Sequence, residues 1–166
     1  MSVIRDILEH IKKAIEAPSS ETVAKFPSMA SASFRLADGG GGARLELAAA
    51  VGQSRVFDFS LEDSSTTPLF FGGEAPMAYR EEMPVRIRYE SNGPSRKLDQ
   101  LDQIKIDQIA VIDSIHRSKW ADVEKLATLT AQPGTISSFT LLDDSGSGHE
   151  YAGFISEINV SISYDV

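Results

Sequence analysis

The chain has 166 residues, a length that fits one domain and lets a real core form, with roughly 70% of the extended-chain surface buried. Hydrophobic residues make up 42% and charged residues 24%, which is ordinary for a globular protein, while a net charge of −8 argues against a broad basic footprint for nucleic acid. There is no cysteine, so there is neither a disulfide framework nor a thiolate metal site, and nothing implies an oxidising compartment.

The first predicted element runs from Ser2 to Ala17. Val3, Ile4, Ile7, Leu8, Ile11, Ala14 and Ile15 fall on one stripe of a helix, and Arg5, Asp6, Glu9, Lys12, Lys13 and Glu16 take the other side. Ser2 suits the N-cap and Pro18 the stop. The charges at Arg5, Asp6, Glu9 and Lys12 interrupt the apolar run that a signal peptide would need. No segment approaches the ~20 apolar residues of a membrane span. The expectation is a soluble protein made inside the cell, with no membrane partner.

Residues 19–32 carry no clear period. Ser33 to Ala37 alternates, four glycines follow from Gly39 to Gly42, and Arg44 to Leu47 alternates again, which predicts a β-hairpin with a loose glycine loop. A phosphate cradle is the alternative. It would want Gly-Lys-Ser/Thr leading into a helix, whereas Ala43-Arg44-Leu45 leads into a strand pattern. Arg55 to Leu61 reads as a strand, with Phe57, Phe59 and Leu61 on one side.

Glu62 to Met83 shows no period and is expected to be a long loop. It carries Leu69, Phe70, Phe71, Met77 and Tyr79, and linkers are poor in aromatic residues. These side chains are candidates either for folding back on their own domain or for contact with another subunit or partner.

Pro84 to Ser118 reads as strand, turn and long helix. Val85, Ile87 and Tyr89 alternate with Arg86 and Arg88, so one strand face is dry and the other wet. The residues from Ser91 to Pro94 are turn chemistry. On the helix from Leu98, a broad apolar face gathers Leu98, Leu101, Ile104, Ile109, Val111, Ile112 and Ile115, with Asp99, Gln103, Asp107, Asp113 and Arg117 mostly opposite. Three residues do not fit this pattern. Arg96 and Lys97 stand at the wrong end of the helix dipole, and Ile106 stands on the charged side. They join the candidate contact residues.

Trp120 to Thr130 is ambiguous between helix and strand, and Gln132-Pro133-Gly134 reads as a turn. Thr135 to Leu142 and Tyr151 to Val166 form a closing hairpin, whose last strand alternates strictly through Ile158, Val160, Ile162 and Tyr164. The intervening loop, Asp143 to Glu150, offers oxygen ligands but lacks the spacing of an EF-hand. His10, His116 and His149 are isolated in sequence, and no nucleophile elbow or Walker motif is present. No catalytic residue, metal site or cofactor is expected. The fold class is α+β: a mainly antiparallel sheet packed against the long central helix and the N-terminal helix, as one domain over residues 1–166.

This order of elements resembles the tail terminator and neck proteins of long-tailed bacteriophages. The resemblance rests on the helix from Val3 to Ile15, the strand around Phe57-Asp58-Phe59 and the long loop. It continues with Val85-Arg86-Ile87-Arg88-Tyr89 running into Leu98-Asp99-Gln100-Leu101-Asp102, and with the final strand ending Ile162-Ser163-Tyr164. It spans most of the chain without a diagnostic motif. It implies a structural protein and no enzyme: a homo-oligomeric ring, typically a hexamer, that caps the tail tube and ends its polymerisation. The implied partners are the tail tube protein and a head-completion or connector protein, with DNA passing through unbound. The implied location is the tail–neck junction of the virion, after assembly in the host cytoplasm. A head-completion or head–tail joining role is the neighbouring reading. A small α+β enzyme, or a ligand-binding domain, is the alternative from another class, and its mark would be a pocket with converging carboxylates and a histidine.

Overall fold

A computed structural model describes residues 3–29, 34–36, 55–90, 97–120, 123–142 and 150–165. Helix α1 (Val3–Glu16) ends two residues before Pro18, as its stripe predicts, and buries Ile7, Ile11, Ala14 and Ile15. A short helix α2 (Ser20–Lys25) follows, its Thr22 N–H capped by the Ser19 hydroxyl. Then come β1 (Phe34–Leu36), β2 (Arg55–Phe59), β3 (Ser65–Leu69), β4 (Ala78–Glu90), the long helix α3 (Lys97–Arg117), β5 (Leu126–Leu142) and β6 (Glu150–Asp165).

The strands form one sheet in the order β1-β2-β4-β6-β5, with β3 also pairing β4. Every pairing is antiparallel except the short β1–β2 contact. The α+β expectation therefore holds. Alternation along β4 and β6 sends Met83, Val85, Ile87, Tyr89, Phe154, Ile158, Val160 and Ile162 to one face, where they are buried. The isoleucines of α1 and Ile104, Val111 and Ile115 of α3 close that core. The other face is wet and carries Arg86, Arg88, Glu157 and Asn159.

Residues 62–83 are a hairpin rather than an open loop. β3 pairs Ser65 to Leu69 with Glu82 to Ala78, and the Met77 N–H closes the turn on the Leu69 carbonyl at 3.0 Å. The period was hidden because the β3 side chains are small and largely exposed on both faces, so they show no apolar alternation. β2 and β3 share one edge of β4, interrupted by a single turn at Leu61–Asp63. That interruption accommodates Pro84 inside β4. The Ser60 N–H donates to the Pro84 carbonyl, and the neighbouring chain turns away where a second donor would be needed.

Gln132-Pro133-Gly134 is not a turn. It lies inside β5, whose register against β6 shifts between Pro133 and Ile136. A bulge absorbs the proline there, at a sheet edge that tolerates its missing N–H. The ambiguous segment before it resolves into a turn at Trp120 and then strand from Leu126. The glycine-rich hairpin after Leu36 and the Asp143–His149 stretch lie outside the described residues.

Candidate interaction surface

Helix α3 is rotated from its expected seat. Ile104, Val111 and Ile115 are buried as predicted, but Leu98 is 83% exposed and Ile109 53%. In their place the helix buries Gln100, Asp107, Gln108 and Ser114. Each of the last three has a partner that explains its position. Ser114 donates to the Ala14 carbonyl at 2.5 Å and ties α3 to α1. Gln108 donates to the carbonyls of Gly134 and Glu157, which fastens the helix across the β5 bulge. Asp107 is the centre of a buried cluster. It accepts from Tyr89 Oη at 3.1 Å, Gln103 Nε2 at 3.0 Å and Ser28 Oγ at 3.3 Å, and pairs with Arg55 Nε at 3.0 Å.

The electrostatics of that cluster are set by burial and by the charge of Arg55. Burial pushes the Asp107 carboxyl above its ordinary range, against the pull of Arg55 and the three donors. Burial likewise pushes the Tyr89 phenol well up, with the Asp107 charge adding to it. Arg55 donates to the Ser28 carbonyl and stacks on the Phe34 ring at 4.3 Å. Its Nε lies close to Asp107 but forms no aligned hydrogen bond, so the pair is coulombic. A cavity of 560 Å³ reaches this cluster, lined by Arg55, Tyr89, Asp99, Gln100, Gln103 and Asp107.

The wet face of the sheet carries a second polar network. Arg86 Nε donates to Glu157 at 2.8 Å and its Nη2 to Asp63 at 2.6 Å, while Arg88 pairs with Asp58 at 2.5 Å. The hydrogen bond from Arg86 holds Asp63 below the ordinary carboxylate range. A shallow groove of 640 Å³ runs over this face, with Asp63, Glu82 and Glu157 among its lining residues. Carboxylates converge here, but they meet an arginine and no histidine. His10 lies against Trp120 with ring centroids 4.4 Å apart and contacts Ser118 Oγ. His116 accepts from the Ala131 N–H at 2.9 Å. Among the described residues no group of three metal-ligating side chains occurs, and no helix is long and apolar enough to cross a membrane.

Among the described residues, exposure of large apolar side chains is concentrated at two places. The first is the hairpin turn between β3 and β4, where Phe70, Phe71 and Met77 are each more than half exposed, and where Gly72 takes φ +86. The second is the outer surface of α3, with Leu98, Ile106 and Ile109. Of the candidates read from the sequence, Phe70, Phe71 and Met77 come together at the turn. Leu69 is half-buried as the last residue of β3. Tyr79 is half-buried too, with its ring 6.0 Å from that of Tyr164. Ile106 lies on the α3 surface, at 38% exposure. Lys97 begins α3, and Arg96 lies outside the described residues. Leu98 and Ile109 were assigned to the core by their spacing and are the surface residues that reading missed. The signal was present in Asp107, Gln108 and Ser114, whose hydrogen-bonding needs turn the helix.

No family model matches this chain, and no curated protein matches it in sequence.

Proposed function

We propose that the protein is a ring-forming subunit that caps the tail tube of a long-tailed bacteriophage, ends its polymerisation and presents the surface on which the head is joined. The reading rests on the order of its elements and on one observation: the β3–β4 hairpin ends in Phe70, Phe71 and Met77, exposed together. Three large apolar side chains in one turn make a contact surface, since a turn with no partner favours small polar residues. The mechanism is steric and interfacial, with no bond made or broken. The polar clusters fit that mechanism, because Asp107 and Arg86 are each engaged by neighbouring side chains. Head completion or head–tail joining by the same contacts is the neighbouring role, distinguished by partner alone.

The test is sizing and negative-stain microscopy of the purified chain, with and without tail tubes. Rings seated on tube ends, with tubes of fixed length, are the expected outcome. Monomers alone, with tubes present and uncapped, would remove the proposal.

A further inference from the structure

The two apolar surfaces lie too far apart to cover one another. The Tyr89–Asp107 hydrogen bond places the middle of α3 over the last residues of β4. The hairpin turn precedes the first residue of β4, which is 13 residues long. At about 3.3 Å per residue, the turn and Ile109 are separated by roughly 30–40 Å, and Leu98 lies three helical turns further along α3. Both surfaces therefore stand exposed among the described residues, and neither covers the other.

Each surface carries one anion and one cation beside its apolar side chains. The turn offers Phe70, Phe71 and Met77 as a projecting knob, with Glu74 within it and Arg80 just beyond it. On α3, Leu98, Ile106 and Ile109 fall within about 80° of arc at 100° per residue, with Asp102 among them and Lys105 about 20° outside the Leu98 edge. Glu74, Arg80, Asp102 and Lys105 enter no ion pair among the described residues. A knob carrying an anion and a cation is thus complementary in charge to a stripe carrying a cation and an anion.

We propose that the residue 70–77 turn of one subunit packs on the Leu98–Ile106–Ile109 stripe of a second copy of this chain, with Glu74 against Lys105 and Arg80 against Asp102. Because knob and stripe are different surfaces, the contact is heterologous. Each subunit gives one and receives one, which closes a ring where the rotation allows. This deepens the ring reading above and rests on it for closure, though the contact itself is tested separately.

The chain has no cysteine, so introduced thiols report on this contact without background. The double variant Phe71→Cys/Ile109→Cys, oxidised with and without tail tubes, is expected to give a ladder of covalent oligomers that ends at one closed species and collapses on reduction. Mixing the two single variants should give covalent dimers and nothing larger. Each single variant alone should stay uncross-linked. Circular dichroism melts confirm that the variants fold. Self-cross-linking of Phe71→Cys alone would overturn the heterologous contact in favour of a knob-to-knob one. Oligomers seen by sizing but not captured by the double variant would overturn it too.

Charge exchange gives a second readout. Lys105→Glu should lower the assembled fraction at least several-fold, and Glu74→Lys/Lys105→Glu should restore it. Failure of the restoration overturns the pairing. Cross-linked rings that ignore tube ends would leave the contact standing and remove the terminator reading. Capped tubes without the 71–109 cross-link would do the reverse.

Discussion

Asp107 illustrates how a single side chain decides the seat of a long helix. It is fully buried, its donors come from α3, β4 and the turn after α2, and its ion-pair partner comes from β2. Removing it leaves the Arg55 charge without its counter-ion and a buried phenol without its acceptor, so Asp107→Ala should destabilise the fold by about 3–5 kcal/mol. The pH dependence has a definite sign. The folded state raises the Asp107 carboxyl, so its stabilising contribution is full below the ordinary value of about 3.9 and is lost as pH rises through the folded value. Asp63 and Asp113 are lowered and act in the opposite sense, but they are common to parent and variant and cancel in a comparison. Urea midpoints of the parent and Asp107→Asn between pH 4 and 7 should therefore show the parent's relative stability falling as pH rises. A relative stability that grows with pH would contradict the burial argument.

At the level of elements, the strands and helices with strong patterns were legible in the sequence. The stripe of α1, the dry face of β4 through Val85, Ile87 and Tyr89, and the alternation of β6 are all found as read. What escaped was structure held by something other than apolar period. β3 has no hydrophobic alternation because its small side chains are exposed, and its strand identity comes from its register against β4. The β5 bulge was misread because Gln-Pro-Gly is turn chemistry in isolation, and only the facing strand makes it a bulge. That bulge is specific about its glycine. A Cβ on Gly134 would lie 2.8 Å from the Glu157 carbonyl oxygen, which is backbone and also accepts from Gln108. Gly134→Ala should cost about 1–3 kcal/mol through overpacking. Gly73→Ala, in the hairpin turn with its nearest neighbour at 3.9 Å, should stay within about 0.5 kcal/mol of the parent. Equal melting shifts in the two variants would show that the Gly134 contact relaxes freely.

Across the whole molecule, Arg86 and Arg88 of the sheet are neutralised where they stand, whereas Arg80 enters no ion pair among the described residues. The wet face displays Arg86 and Arg88, a pair that in isolation would invite phosphate contacts. Asp63, Glu157 and Asp58 hold them at 2.6, 2.8 and 2.5 Å, and the chain as a whole carries −8. On the proposed role beside a DNA passage, paired arginines on a net acidic chain would leave DNA unbound while keeping the strands aligned. The parent should therefore fail to retard duplex DNA in a gel even at 50 mM salt, a condition that favours electrostatic binding, on the order used to expose nonspecific affinity. Asp58→Asn/Asp63→Asn/Glu157→Gln releases both arginines and removes three negative charges. It should bind weakly, with a log–log salt slope of about −2 or shallower, as expected when two phosphates are engaged. A parent that retards DNA with a steep salt dependence would show that basic groups elsewhere on the chain dominate its field. It would also remove the argument that the subunit lets DNA pass unbound.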